Sequence, residues 1–360
     1  MAKGLRAQDQ RRVAIRADLG KMVERPWRRV RLVGHERVNG SCTVSDVRYH
    51  DRIKDLQGPL SGGPGPFARA SWYELLERHG AAARYAVAAS GDAAVCLPLT
   101  PDLQPLTNWY AFTWQPLATD PPPAPEALQA IAADLDTARI DFAKLESSTA
   151  DRLQAAFRAA GWTVLRSETD TNHILRPAGR SFAKYLATRP GPLRTTLKRK
   201  ARKLDVTLST RFDPEEWQAF EDIYRASWKP AEGDPDLLRA FAQAESEAGH
   251  FLFAMARHED TPVAAQFWTL DGGTAHIHKL AHRENATSLS PGTVLTAALF
   301  EYALDTARVD LVDFGTGDDA YKRDWMEEQR PRYTLTCLRA RNLRNWPTLA
   351  RHLVSRVLRR

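Results

Sequence analysis

Apolar positions along this chain fall into short runs that switch between a strand-like and a helix-like period. A loop from Gly58 to Pro66, by composition, leads into a short helix at Phe67–His79, and three runs, Arg84–Ala89, Ala93–Leu99 and Asn108–Trp114, then read as strands. Past the proline-rich break Pro121 to Pro125, the pattern predicts helix Glu126–Ala138, strand Ile140–Glu146, helix Ala150–Ala160 and strand Trp162–Leu175. The second half repeats this order with strands Phe251–Arg257, Pro262–Leu270 and Thr274–Leu280, helix Thr293–Ala307, strand Val309–Phe314, short helix Asp319–Glu328 and strand Tyr333–Ala340. Helices at Ser181–Thr188 continuing to Leu204, at Pro214–Trp228 and at Pro235–Ala248 lie between the halves, with a strand at Val206–Arg211. The expected class is α/β (α+β): two mixed-sheet copies joined by helices.

Composition adds the ends of the molecule. The formal charge of the 360-residue chain is +7, yet residues 1–38 and residues 339–360 each carry +7, so the body between them is mildly acidic. That distribution argues against a body built to grip nucleic acid, and leaves the ends for an anionic surface. The expected divisions are a flexible basic extension (1–38), a first copy (39–180), connecting helices (181–249), a second copy (250–340) and a basic amphipathic tail (341–360). In that tail Leu349, Leu353, Val354, Val357 and Leu358 share one helical face, with Arg351, Arg356, Arg359 and Arg360 elsewhere. Cys42, Cys96 and Cys337 form no disulfide framework and no metal spacing. No apolar run is long enough to span a membrane or follow the basic N-terminus as a signal peptide. A cytoplasmic location is expected, with peripheral membrane contact through the tail as one use of it.

The chemistry concentrates where strand Thr274–Leu280 runs through Asn285–Leu289 into Ser290-Pro291-Gly292-Thr293 and the next helix. Ser290 suits an N-cap, Pro291 the first helical position, and Gly292 a place where backbone meets ligand. Free N–H groups at the positive end of a helix dipole make an anion site suited to phosphate. The alternative is a plain helix start.

Several further segments accompany this loop: Ser227-Trp228-Lys229 with Glu232, Ala265-Gln266-Phe267-Trp268, His278-Lys279-Leu280-Ala281, Ser290 through Thr296, Asp313-Phe314, and Gly317 through Trp325. In order and spacing they resemble the CelD-type, FemAB-related branch of the GNAT acyltransferases over about residues 225–326, and more weakly over 60–340. The resemblance implies a tandem GNAT-like fold whose second copy binds acyl-CoA, acetyl-CoA first of all, through Leu289, Ser290, Pro291, Gly292, Thr293 and Val294. It implies an N-acyltransferase acting on an amine, such as a cell-envelope or polysaccharide precursor. The common GNAT loop has a further small residue; here Gly292 stands alone behind a proline. The first copy lacks such a loop and is expected to be degenerate, shaping the acceptor cleft.

Acyl transfer to an amine needs a neutral nitrogen, stabilisation of an oxyanion and a proton for the departing thiolate. Tyr321 is the candidate acid, and Asp318 and Asp319 are candidates to hold the amine or take its proton, or else to cap the helix beside them. Trp228, Lys229, Glu232, Gln266, Lys279 and Lys322 are the candidate substrate-binding residues; packing or solvated faces are the alternatives. His276, His278 and His282 lack a completing carboxylate or cysteine, so no metal is expected. The cluster Lys198 to Lys203 motivates a second reading, a FemAB-like transferase using aminoacyl-tRNA. A third is a non-catalytic protein that binds anionic surfaces through its ends.

Overall fold

Both predicted halves contribute strands to one sheet. The structure, a computed structural model, describes residues 46–357 apart from 57, 59 and 64. The extension 1–38, Cys42 and tail residues Leu358, Arg359 and Arg360 lie outside the described residues. The first half runs β1 (Arg48–His50), α1 (Ala70–Arg78), β2 (Arg84–Ser90), β3 (Ala93–Leu99), β4 (Leu117–Ala118), α2 (Pro125–Asp134), β5 (Arg139–Leu145), α3 (Ser147–Ala159) and β6 (Thr163–Leu175). The connecting region holds α4 (Phe182–Ala187), α5 (Gly191–Lys200), β7 (Asp205–Ser209), α6 (Pro214–Arg225) and α7 (Pro235–Glu247). The second half runs β8 (Phe251–His258), β9 (Thr261–Asp271), β10 (Thr274–His282), α8 (Pro291–Glu301), β11 (Leu311–Thr316), α9 (Ala320–Trp325), β12 (Glu328–Leu338) and α10 (Trp346–Val357).

The class is the expected mixed α/β one, with two sheets and helices joining the halves. A four-stranded sheet is ordered β1-β2-β3-β4, and an eight-stranded sheet β5-β12-β6-β11-β10-β9-β8-β7. The last strand, β12, pairs with β5 on one side and β6 on the other, so the C-terminal strand is threaded between strands of the first half.

Three local readings are corrected. Asn108–Trp114 is not a strand: the Asn108 side chain accepts from the Tyr110 and Ala111 N–H groups, and Lys144 Nζ donates to the Asn108 and Ala111 carbonyls. Those bonds satisfy the backbone locally and divert it from a ladder. The helix from Ser181 to Leu204 is divided into α4 and α5 because Pro190 supplies no N–H for a continuing turn. The long helix after the loop ends at Glu301 and continues as a single π turn, Tyr302–Thr306.

Helix α8 is apolar almost all round, as a helix buried on both sides must be. Leu295, Leu299 and Phe300 are fully buried in a cluster that includes Leu193 and Leu197 of α5 and Trp268 of β9, with the Phe300 and Trp268 rings edge to face at 5.4 Å. Each such side chain contributes about 1.5–3 kcal/mol. The cleft described next thus has a rigid floor.

Candidate active site

Strands β10 and β11 run parallel but pair only at Thr274–Leu311, Ala275–Val312 and His276–Asp313. Beyond that point β10 continues to His282 beside β9, while β11 continues to Thr316 beside β6. The two strands therefore splay into a V. A bulge at His278 leaves that residue unmatched between Ile277 and Lys279, and re-aims the side chains along the open arm. A cleft of about 750 Å³ fills the V, walled by Ile277 to Leu280, Phe314 to Thr316, the start of α8, and Trp109, Tyr110 and Phe112 from the first half.

At the start of α8, Ser290 is left-handed (φ 52°) and its side chain makes no cap bond, so the expected side-chain cap is absent. The Ser290 carbonyl instead accepts from the N–H groups of Thr293 and Val294, and the Ser290 N–H donates to Thr287. The Gly292 N–H and the hydroxyls of Ser290 and Thr293 have no partner among the described residues. Of the amides expected to meet an anion from Leu289 to Val294, those of Ser290, Thr293 and Val294 are already engaged and Pro291 has none. A Cβ on Gly292 would meet Leu280 Cδ2 at 3.2 Å and His282 at 3.8 Å. The glycine lets α8 press against β10, which holds its first turn at the cleft.

Lys229, Lys279 and Lys322 line the cleft with Trp228, Asp319 and Tyr321. Lys279 Nζ lies 2.8 Å from Glu232, both side chains nearly buried, and the Tyr110 hydroxyl donates to the same carboxylate at 2.9 Å. Lys322 Nζ donates to the carbonyls of Thr316 (2.5 Å) and Gly317 (3.1 Å) and lies 3.3 Å from Asp319, so it ties down the loop after β11. Lys229 has no ion pair among the described residues; its amine sits 5.8 Å from the Tyr224 and Trp228 rings. Burial, and then the charge of Lys279, push its pKa down to about 8. Trp228 is 53% exposed and packs on His282 at 4.3 Å, so it belongs to the cleft and not to the core.

Tyr321 is half-exposed, edge to face with Phe314 at 5.4 Å, and its hydroxyl has no partner among the described residues. Partial burial, followed by the charge of Asp319, pushes the phenol up to about 12, so it keeps its proton at neutral pH. Asp318 points elsewhere: it pairs with His173 (2.7 Å) and Arg323 (2.5 Å) and does not line the cleft. Gln266 is fully buried and accepts from Thr296 Oγ1 at 3.0 Å, which places it in the layer between β9 and α8. Leu289 and Val294 back the loop without lining the cleft, and Glu232 acts behind Lys279. Among the described residues no group of three or more His, Cys, Asp and Glu could hold a metal ion.

The sequence reading missed the first-half wall. Trp109, Tyr110 and Phe112 lie far from the second half in the chain, and the one signal, an aromatic cluster following Asn108, reads equally as a strand. It named Asp313 only within its segment and missed Arg330 and Arg332. The carboxylate is 2.5 Å from Arg330 and 3.5 Å from Arg332, and accepts from Asn172 and the Gly315 N–H at 2.7 Å each.

Residues 191–323 match the family model described as an acetyltransferase (GNAT) domain. The chain carries a GNAT acetyltransferase domain. In this GNAT domain the V and the start of α8 occupy one continuous stretch of the match. FemX has a similar structure at TM-score 0.53 and 12% identity, over 73% of this chain and 90% of that one. A conserved protein of unknown function from Bacteroides thetaiotaomicron gives 0.51 and 12%, over 74% and 90%. These likenesses show a shared fold. The C-terminal domain of a putative lysylphosphatidylglycerol synthetase from Agrobacterium fabrum gives 0.49 and 13%, over 74% and 86%. No curated protein sequence matches the chain. The reading as a non-catalytic surface-binding protein gives way to an enzyme.

Proposed function

We propose that this acyltransferase uses acyl-CoA, acetyl-CoA in the first place, to acylate an amine. The observation that carries the reading is the V between β10 and β11, with the free Gly292 N–H, two unpartnered hydroxyls and the unpaired Lys229 along one cleft. A diphosphate is anionic and accepts hydrogen bonds, and this set supplies donors, a helix dipole and a cation. The splayed strands leave main-chain groups without ladder partners, available to the amides of an extended arm. Tyr321 then gives its proton to the departing sulfur, with Asp319 and Lys322 beside it in the cleft. Isothermal titration of CoA against the full chain tests this; no heat of binding sinks the acyl-CoA reading. Tyr321→Phe is expected to lower kcat by about 100-fold or more while CoA affinity stays within about twofold.

Lys229 links binding to pH. Its amine is cationic below about 8. CoA affinity is therefore expected to fall by about tenfold as pH rises from 7 to 9, the worth of one charged hydrogen bond. Lys229→Met should bind weakly at both values, and an unchanged slope in that variant would assign the titration elsewhere.

One observation favours the aminoacyl-tRNA alternative. Lys200 Nζ donates to the Ser288 carbonyl at 2.8 Å, which brings the basic end of α5 to the donor loop. Salt-dependent tRNA binding that is lost on replacing Lys198, Arg199, Arg202 and Lys203 by Ala would support it, and turnover with free acyl-CoA alone counts against it. Among the described residues no helix is long and apolar enough to cross a membrane. We place the protein in the cytoplasm, with α10 as the segment that contacts anionic lipid or docks on the body. A glycan-precursor amine is the acceptor class this reading favours.

A further inference from the structure

A second cavity, of about 300 Å³, lies at the closed end of the V. His276 and Asp313, the last paired residues of β10 and β11, line it, as do Trp114, Glu146, Arg152 and Arg330. Phe112 lines both this chamber and the cleft, so the two spaces adjoin at its ring. Its ring fits because residue 315 is glycine: a Cβ there would sit 3.1 Å from the ring, on a backbone at φ 70°.

The polar groups of the chamber are not balanced among themselves. Glu146 and Asp313 are met by Arg330 and Arg332. Arg152 is an exposed side chain on the solvent side of the chamber's lining and has no ion pair or hydrogen bond among the described residues, so it is a surplus cation there. Trp114 Nε1, His276 Nδ1 and Arg330 Nε are buried without a partner among the described residues, and Trp114 is only 2% and His276 9% exposed. Buried polar atoms are seldom left this way, and three on the walls of one small polar chamber point to a ligand that bonds them. Two donors and a surplus guanidinium suit a carboxylate. A dianionic phosphate would meet Glu146 and Asp313 as well.

We propose that this chamber seats the acceptor, that the acceptor carries a carboxylate beside its amine, and that His276 receives the amine proton. The inference rests on the acyltransferase reading above and names its substrate class. Arg152 and Trp114 hold the carboxylate, and the amine faces the apex where His276 stands. The nitrogen lone pair forms the N–C bond at the thioester carbonyl, and the C–S bond breaks. One proton leaves nitrogen for His276, and the thiolate takes one from Tyr321. Burial keeps the His276 ring neutral in the working range, as a base must be. The groups facing it are Asp313 of β11, Asp271 of β9, Arg330 of β12, Arg69 before α1, and His278 of its own strand.

The test is thiol release from acetyl-CoA with a panel of amino acids, each paired with its carboxamide. At least one acid should exceed its own carboxamide in kcat/KM by about tenfold or more, as one charged hydrogen bond gives. Arg152→Ala should bring that pair to within about twofold, and His276→Asn should remove the low-pH limb of kcat/KM; in both variants CoA titration is unchanged. Carboxamides that match or exceed their acids overturn the proposal, as does a panel with no turnover by protein that binds CoA. Failure to bind CoA instead defeats the donor assignment. The chamber is then read alone, by saturation-transfer NMR with N-acetylglycine and its amide: transfer to the acid that Arg152→Ala abolishes supports it, and equal or no transfer overturns it.

Discussion

Gly292→Asp is expected to weaken CoA binding by more than about 100-fold. The side chain has nowhere to go: its Cβ would already be 3.2 Å from Leu280, and the rest would extend beside the loop amides. To relieve this, the first turn of α8 must lift from β10, carrying away the Gly292 N–H and the hydroxyls of Ser290 and Thr293. Two charged hydrogen bonds at about 1.5–3 kcal/mol each give at least that factor, and the new carboxylate adds repulsion. Gly292→Ala separates crowding from charge. One methyl against the mobile end of Leu280 should cost about tenfold or less. If titration shows Gly292→Asp binding CoA like the parent, the donor does not use this loop.

Asp313→Asn is expected to destabilise the fold by about 3–5 kcal/mol, because it leaves the Arg330 and Arg332 guanidinium groups with only the half-exposed Glu146 carboxylate to share. Arg332 is fully buried and Arg330 largely so, and Glu146, the other acid of the group, is itself 38% exposed in its side chain. For a chain of this size the shift should be about 5–10 °C in midpoint, read by calorimetry. The same group sets an acid limit. Burial alone would raise the Asp313 pKa, but the His276 ring, Arg330, Arg332 and the Asn172 amide outweigh it and hold the carboxyl below its ordinary range. A depressed folded pKa contributes stability that is present above the unfolded value, near 3.9, and is lost as pH falls through the folded one. The parent should therefore lose stability more steeply than Asp313→Asn below about pH 4. Parallel acid profiles would show that the ion pair contributes nothing to it.

Residues 251–316 were legible in outline because strand and helix periods there are set by local burial. The helix start at Pro291 and Gly292 was legible for the same reason, since both residues carry backbone rules that hold without partners. Tyr321, Asp319, Lys229, Lys279 and Lys322 were found from their segment and do share the cleft. Asp318 and Gln266 were chosen by the same argument, yet one faces His173 and the other Thr296. Strand period states only that a residue alternates, and the His278 bulge reassigns which side chains enter the V.

What the sequence by itself determined is the class of the fold, the order of most of its elements and the Pro291-Gly292 helix start, all properties of short windows. Tertiary structure decided the rest. Threading β12 between β5 and β6 brings Arg330 and Arg332 to Asp313, and the turn at Asn108 brings Tyr110 to Glu232 and Phe112 to the apex. Those contacts join residues more than a hundred positions apart in several cases. They depend on which strand lies beside which, a choice made by burial across the whole sheet and not by any local run of residues.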